Sequence, residues 1–191
     1  QYAKYENVRV TIPRTVVVAT DYFDAFIRNN GLEYVLTTEM TDEEILSEFV
    51  SSTLPYKLRE ALKAYVRTVS GPLAVRSSSK LEDSHYQPFA GIYSTYMIPY
   101  VDNGDQMNED RQLRLLQKAI KSVYASTYFA ASKAYVQSSQ NLIAEEKMAV
   151  VIQEVCGTEQ DGLFFPTLSG VARSINYYPI GDETPEEGVC K

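Results

Sequence analysis

The chain has 191 residues, 45% of them hydrophobic and 23% charged, with a formal net charge of −7. That apolar content supports a sizeable core, in one domain or two small ones, and excludes disorder as a class. The acidic balance disfavours nucleic acid and an anionic membrane surface as partners, but leaves open a local cationic pocket for a small phosphate ligand.

In chain order, residues 8–11 and 15–19 are β-branched and read as extended, with Pro13 limiting pairing between them. Thr20 and Asp21 offer helix caps for YFDAFIRNNG, where Tyr22, Phe23, Phe26 and Ile27 fall at helical spacing and Gly31 is the expected stop. Thr41-Asp42-Glu43-Glu44 fits a capping box ahead of ILSEFV. Pro55 opens an amphipathic helix to about Val69, with Leu58, Leu62 and Val66 on one face, and Gly71-Pro72 ends it. A short strand over 73–76 then delivers Arg76 into a serine-rich tract read as a loop. Residues 91–99 (GIYSTYMIP) read as a second strand. The polar stretch from Asp102 is expected to be a loop, followed by a long helix over 111–128 carrying Leu113, Leu116, Ile120 and Val123, and a further helical stretch over 129–136. Residues 148–155 (MAVVIQEV) form a continuous apolar run expected to be a central strand. Residues 170–175 and 176–180 read as a last extended segment or hairpin arm. Helices and strands alternate with hairpin-like pairs, so the expected class is mixed α+β.

Two cysteines, Cys156 and Cys190, have no zinc-like spacing; Cys156 follows an apolar run and reads as a small core residue. A reducing, cytoplasmic setting is expected. No stretch approaches the ~20 apolar residues of a membrane span, and no signal-type segment opens the chain. The chain starts without Met, and both ends read as cut from something longer.

The chemistry-bearing candidates are few. An arginine at a strand end can aim a rigid fork of N–H donors at phosphate oxygens, with serine hydroxyls beside it and Gly91 allowing close backbone approach. The competing reading is a surface pairing of Arg76 with Glu82 or Asp83. At the end of MAVVIQEV, Gln153, Glu154 and Val155 can offer backbone and side-chain contacts to an adenine edge, or simply close a core strand. His85, the one histidine, reads as solvated rather than as a base or phosphate carrier. Glu82-Asp83 reads as a loop cap rather than a metal site. No Ser/His/Asp or Cys/His set assembles, and no P-loop lysine motif is present.

Four pieces, in order, resemble the N-terminal nucleotide-binding domain of the phosphoenolpyruvate synthase and pyruvate phosphate dikinase family. TIPRTVVVATDYFDAFIRNNGL is similar to its early strand and helix, and AVRSSSKLEDSHYQPFAGIYST to its most distinctive motif. MAVVIQEV resembles its hinge strand and LSGVARS its Ser-Gly-Val-Ala segment. The resemblance spans roughly residues 8 to 180. It implies an ATP-grasp-like fold, with 1–191 a partial ATP-binding domain truncated at both ends. It implies that Arg76 contacts ATP phosphates, that Gly91 and Thr95 lie along the phosphate cover, and that Gln153 sits at the adenine hinge with Glu154 and Val155 giving backbone contacts. No residue is assigned as catalytic or as a metal ligand. ATP with Mg2+ is the implied ligand pair. In the family, phosphate passes from ATP to a phosphohistidine domain elsewhere in the chain and then to pyruvate, giving phosphoenolpyruvate. The family's glycine–lysine loop should precede TIPRTVVVAT, and QYAKYENVRV contains none; the family also has an aromatic residue where this chain has Arg173. These departures motivate one rival, a non-catalytic nucleotide-sensing module; a second, a related dikinase with another acceptor, stays open because nothing in these residues names the acceptor.

Overall fold

A computed structural model describes residues 10–79, 93–100, 106–138 and 147–190. The chain divides into two compact units at the step from Val155 to Cys156.

The first unit is built on a four-stranded antiparallel sheet in the order β1-β4-β2-β3, formed by β1 (Thr15–Val18), β2 (Leu73–Ser79), β3 (Tyr96–Ile98) and β4 (Met148–Glu154). Among the described residues five α-helices accompany it: α1 (Thr20–Asn30), α2 (Asp42–Ser51), α3 (Tyr56–Val66), α4 (Gln106–Ser126) and α5 (Ala130–Ser138). Strand alternation sets which side chains meet the helices. Leu73 and Val75 of β2, with Met148, Val150 and Ile152 of β4, are fully buried. They pack into a core with Phe26, Phe49, Leu116, Ile120 and Tyr124. Phe23, Phe26, Phe49, Tyr124 and Tyr128 form an aromatic cluster in which the Phe23 and Tyr124 rings meet edge-to-face at 5.0 Å. Helix α4 packs on β2, β3 and β4 and also against α2 and α3, while α1 packs on β4.

Several local expectations hold. Thr41 and Glu44 make the reciprocal capping box, with the Glu44 N–H donating to Thr41 Oγ1 at 3.2 Å and the Thr41 N–H to Glu44 Oε2 at 2.8 Å. Gly31 closes α1 at φ 63°, and Leu58, Leu62 and Val66 form the buried stripe of α3.

Others are corrected. Ala19, not Thr20 or Asp21, is the residue before α1, and no side chain caps that helix. Helix α3 ends at Val66, three residues short of the expected Val69, where the chain turns through bonds from the Thr68 N–H to Tyr65 O and the Val69 N–H to Val66 O. Strand β2 continues through Ser77, Ser78 and Ser79, which pair with Val150, Ala149 and Met148. Serine has little strand preference of its own, but the central strand β4 supplies the ladder bonds, so pairing overrides local composition. Strand β3 is shorter than expected, beginning at Tyr96. Helix α4 begins at Gln106, inside the stretch expected to be a loop. Cys156 is exposed, as is Cys190, because it lies beyond the end of β4 and outside the sheet.

The second unit holds two small hairpins. Strands β5 (Thr158–Gln160) and β6 (Leu163–Phe165) pair antiparallel, and β7 (Ala172–Arg173) pairs with β8 (Val189–Cys190). The β5–β6 turn is Asp161-Gly162, with φ of 53° and 77°. Two successive positive φ values match the twist of a two-residue hairpin, and Asp-Gly is a preferred pair for it. The expected extended arm over 176–180 is instead a hydrogen-bonded loop: Glu183 Oε2 accepts from Asn176 Nδ2 at 3.0 Å and from the Ile180 N–H at 3.2 Å.

Candidate nucleotide site on the open sheet face

The side chains of β1, β2 and β4 that do not face the helices define the candidate site. By register, Val17, Val151 and Arg76 form one cross-strand row, and Thr15, Gln153, Ala74 and Met97 form the next. Val17 and Met97 are 57% and 60% exposed, and Arg76 is exposed as well. Helices thus cover one face of the sheet, while the other presents an apolar floor with polar groups set into it.

Arg76 lies in the middle of β2, not at a strand end. A mid-strand position serves phosphate binding better, because ladder bonds fix the backbone from which the guanidinium projects. Among the described residues no ion pair forms with Arg76. Glu82 and Asp83, the partners of the competing surface pairing, lie outside the described residues, as do His85 and Gly91.

Gln153 pairs with Ala74, two residues from Arg76 on β2. Arg76 and Gln153 are therefore diagonal neighbours on one face, about 7–8 Å apart as such pairs run. Gln153 Nε2 donates to Thr15 Oγ1 at 3.1 Å, which holds the carboxamide. Thr95 immediately precedes β3 and is exposed. Continuing the β2–β3 register by one step from Val75–Tyr96 sets Thr95 level with Arg76.

The backbone N–H groups of Glu154 and Val155, two residues expected to offer backbone contacts, are already hydrogen-bonded within the chain. The Glu154 N–H donates to Arg14 O at 2.9 Å and the Val155 N–H to Pro72 O at 2.8 Å. An adenine contact at this point would fall to the carbonyl oxygens of these residues. The Glu154 carboxylate is 3.5 Å from Arg14 Nη1, and the Arg14 guanidinium also donates to Thr68 O. Burial pushes the nearby Tyr65 hydroxyl pKa upward, the Glu154 carboxylate adds to that, and Arg14 offsets part of it.

Sequence reasoning missed Thr15, Val17, Val151, Met97 and Arg14. The first three were findable from the period-2 alternation of TVVV and MAVVIQE once the covered face was known. Arg14 carried no local signal, since its partners lie 54 and 140 residues away in sequence at Thr68 and Glu154.

For a metal the residues fit poorly: among the described residues no group of three or more His, Cys, Asp or Glu side chains gathers, and the two rows of the open face carry no carboxylate. Among the described residues no helix is long and apolar enough to cross a membrane.

Comparison with known proteins gives the family of the chain. Over 161 residues the chain is 29% identical to an uncharacterized phosphotransferase of Bacillus subtilis, YvkC, covering 81% of this chain and 17% of that protein. Over 178 residues it is 28% identical to a phosphoenolpyruvate synthase of Aeropyrum pernix, covering 82% of this chain and 20% of that protein. The chain thus spans about a fifth or less of the length of these curated relatives. The family model of the pyruvate phosphate dikinase AMP/ATP-binding domain matches residues 3–189, and the chain belongs to that family.

Proposed function

We propose that this chain is the ATP-binding part of a phosphotransferase of the phosphoenolpyruvate synthase type, and that its open sheet face is where the nucleotide lies. The observation that carries this reading is the meeting of Arg76, Gln153 and the level of Thr95 on one face, over a floor of Val17, Val151 and Met97. An apolar floor suits a base, and a guanidinium with no ion pair among the described residues suits phosphate oxygens. Phosphoryl transfer asks for positioning and charge neutralisation more than for covalent chemistry from the protein, and these residue types supply both.

In this reading the fold is ATP-grasp-like and the setting cytoplasmic. Phosphate passes from ATP to a carrier histidine in another domain of the full-length protein, and from there to pyruvate, giving phosphoenolpyruvate. Arg76 holds phosphate oxygens and Gln153 orients the base, while Gly91 and Thr95 border the phosphates. Backbone near Glu154 and Val155 meets the adenine edge. Mg2+ is expected to arrive with ATP; the described residues offer it no group of three or more His, Cys, Asp or Glu side chains.

The reading is tested by titrating the chain with ATP while following backbone amide signals. Perturbations concentrated at Thr15, Val17, Ala74, Arg76, Val151 and Gln153 are expected. Perturbations confined to the helical side, or none at all, would overturn it.

A further inference from the structure

The exit of β4 is fastened from two other segments of the chain. The Glu154 N–H is held by Arg14 O at 2.9 Å and the Val155 N–H by Pro72 O at 2.8 Å. The Arg14 side chain then makes a second connection. Its guanidinium donates to Thr68 O in the turn after α3 and stands 3.5 Å from Glu154 Oε1. One residue ahead of β1 thereby joins the α3–β2 connection to the last residue of the central strand. The next step along the chain, Val155 to Cys156, is the boundary between the two compact units.

Two details distinguish this from an ordinary surface ion pair. Glu154 Oε1 is buried and makes no hydrogen bond among the described residues, so Arg14 is what balances its charge. The Glu154 side chain is 20% exposed against 52% for Arg14. A carboxylate oxygen shielded from water and without a counter-charge is unfavourable, so loss of Arg14 favours a rearrangement at the strand end that hydrates that oxygen. Gln153, one residue earlier, would move with it.

We propose that Arg14 is a positioning residue, acting through Glu154 to lock the exit of β4 and so to fix Gln153 and the backbone beyond it. The lock itself stands on geometry alone; only its consequence for ligand rests on the nucleotide reading above.

The test is amide hydrogen exchange on the chain and on Arg14→Ala, Arg14→Lys and Glu154→Gln, with ATP affinity measured on each. In Arg14→Ala, exchange at the Glu154 and Val155 amides is expected to quicken at least tenfold, while core amides such as Val123 and Ile120 keep their rates. Arg14→Lys is expected to restore part of the protection, because a point charge can reach Glu154 but cannot also hold Thr68 O with the geometry of a guanidinium. ATP affinity is expected to fall three- to tenfold in Arg14→Ala. Unchanged exchange at residues 154 and 155 would overturn the lock. Uniformly faster exchange with a lowered melting temperature would also overturn it, since that marks a general structural role. If local exchange quickens but even the unsubstituted chain ignores ATP, the lock stands and the nucleotide reading fails. If ATP binds Arg14→Ala as tightly as the unsubstituted chain despite faster exchange, the positioning role fails.

Discussion

The two units of this chain are stabilised in different ways. The first buries rings and aliphatic side chains against a sheet, with Phe26, Phe49, Ile45, Leu116, Ile120 and Tyr124 all fully buried. In the second, Asn176 alone is buried among the described residues, and Leu168, Tyr178 and Ile180 are 90%, 84% and 81% exposed. Its order comes from local polar devices: the Asp161-Gly162 turn, the Asn176–Glu183 bond, and a capping box in which the Thr184 N–H donates to Glu187 Oε2 at 3.0 Å. Apolar burial is cooperative and roughly proportional to area, whereas each local hydrogen bond adds about 1 kcal/mol net. The first unit should therefore unfold as a block, and the second should open piece by piece.

That contrast can be broken or sharpened by substitution. The largest effect belongs to Phe26→Ala, which empties a site shared with Phe49 and Tyr124. It should cost about 3–5 kcal/mol in urea unfolding of the first unit. A loss below 1 kcal/mol would mean the aromatic cluster is not its core. Next comes Asn176→Ala, which removes the carboxamide that donates to Glu183 Oε2 and accepts from the Tyr178 N–H. It should cost about 1–3 kcal/mol locally, seen as lost amide protection over 176–188 while the urea midpoint of the first unit stays put. A shift of that midpoint would contradict the separation. Thr41→Ala deletes the α2 capping oxygen and should cost about 1 kcal/mol, measured as a lowered melting temperature.

The smallest effect at neutral pH, and a distinct one in alkali, belongs to Tyr124→Phe. The Tyr124 hydroxyl is buried with no hydrogen-bond partner among the described residues. Burial first, and Asp21 second, raise its pKa above the ordinary 10.0. Tyr128 is raised likewise by burial, then by Asp24 and Glu33. A folded-state pKa above the unfolded value means this contribution is fully present below pH 10 and is lost as pH rises beyond it. The first unit should thus weaken above about pH 10, and Tyr124→Phe should blunt that decline while leaving stability near pH 7 almost unchanged. An identical alkaline profile for both proteins would refute the assignment to Tyr124.

Much of the first unit was legible in the sequence because its signals are periodic and local. The Thr41–Glu44 box, the Leu58–Leu62–Val66 stripe and the apolar run of β4 each announce themselves within a few residues. Legibility failed where a distant partner decides. Ser77–Ser78–Ser79 looks like a loop until β4 supplies its hydrogen bonds, and Cys156 looks buried until β4 is seen to end before it. The β5–β6 hairpin is a different kind of miss, since Asp161-Gly162 between extended residues was a readable turn signal. At the site, the type and order of Arg76, Thr95 and Gln153 could be read from motif resemblance. Their meeting on one face could not, because it depends on the β2–β4 and β2–β3 registers.

The central claim is that Arg76 on the open face holds the phosphates of ATP. The most direct test is calorimetric titration of this chain and its Arg76→Ala variant with ATP and magnesium. The account predicts binding to the chain and a loss of about 1.5–3 kcal/mol in the variant, the range for a hydrogen bond to a charged group, with the melting temperature of the variant unchanged. Equal ATP affinity in the two proteins would contradict it.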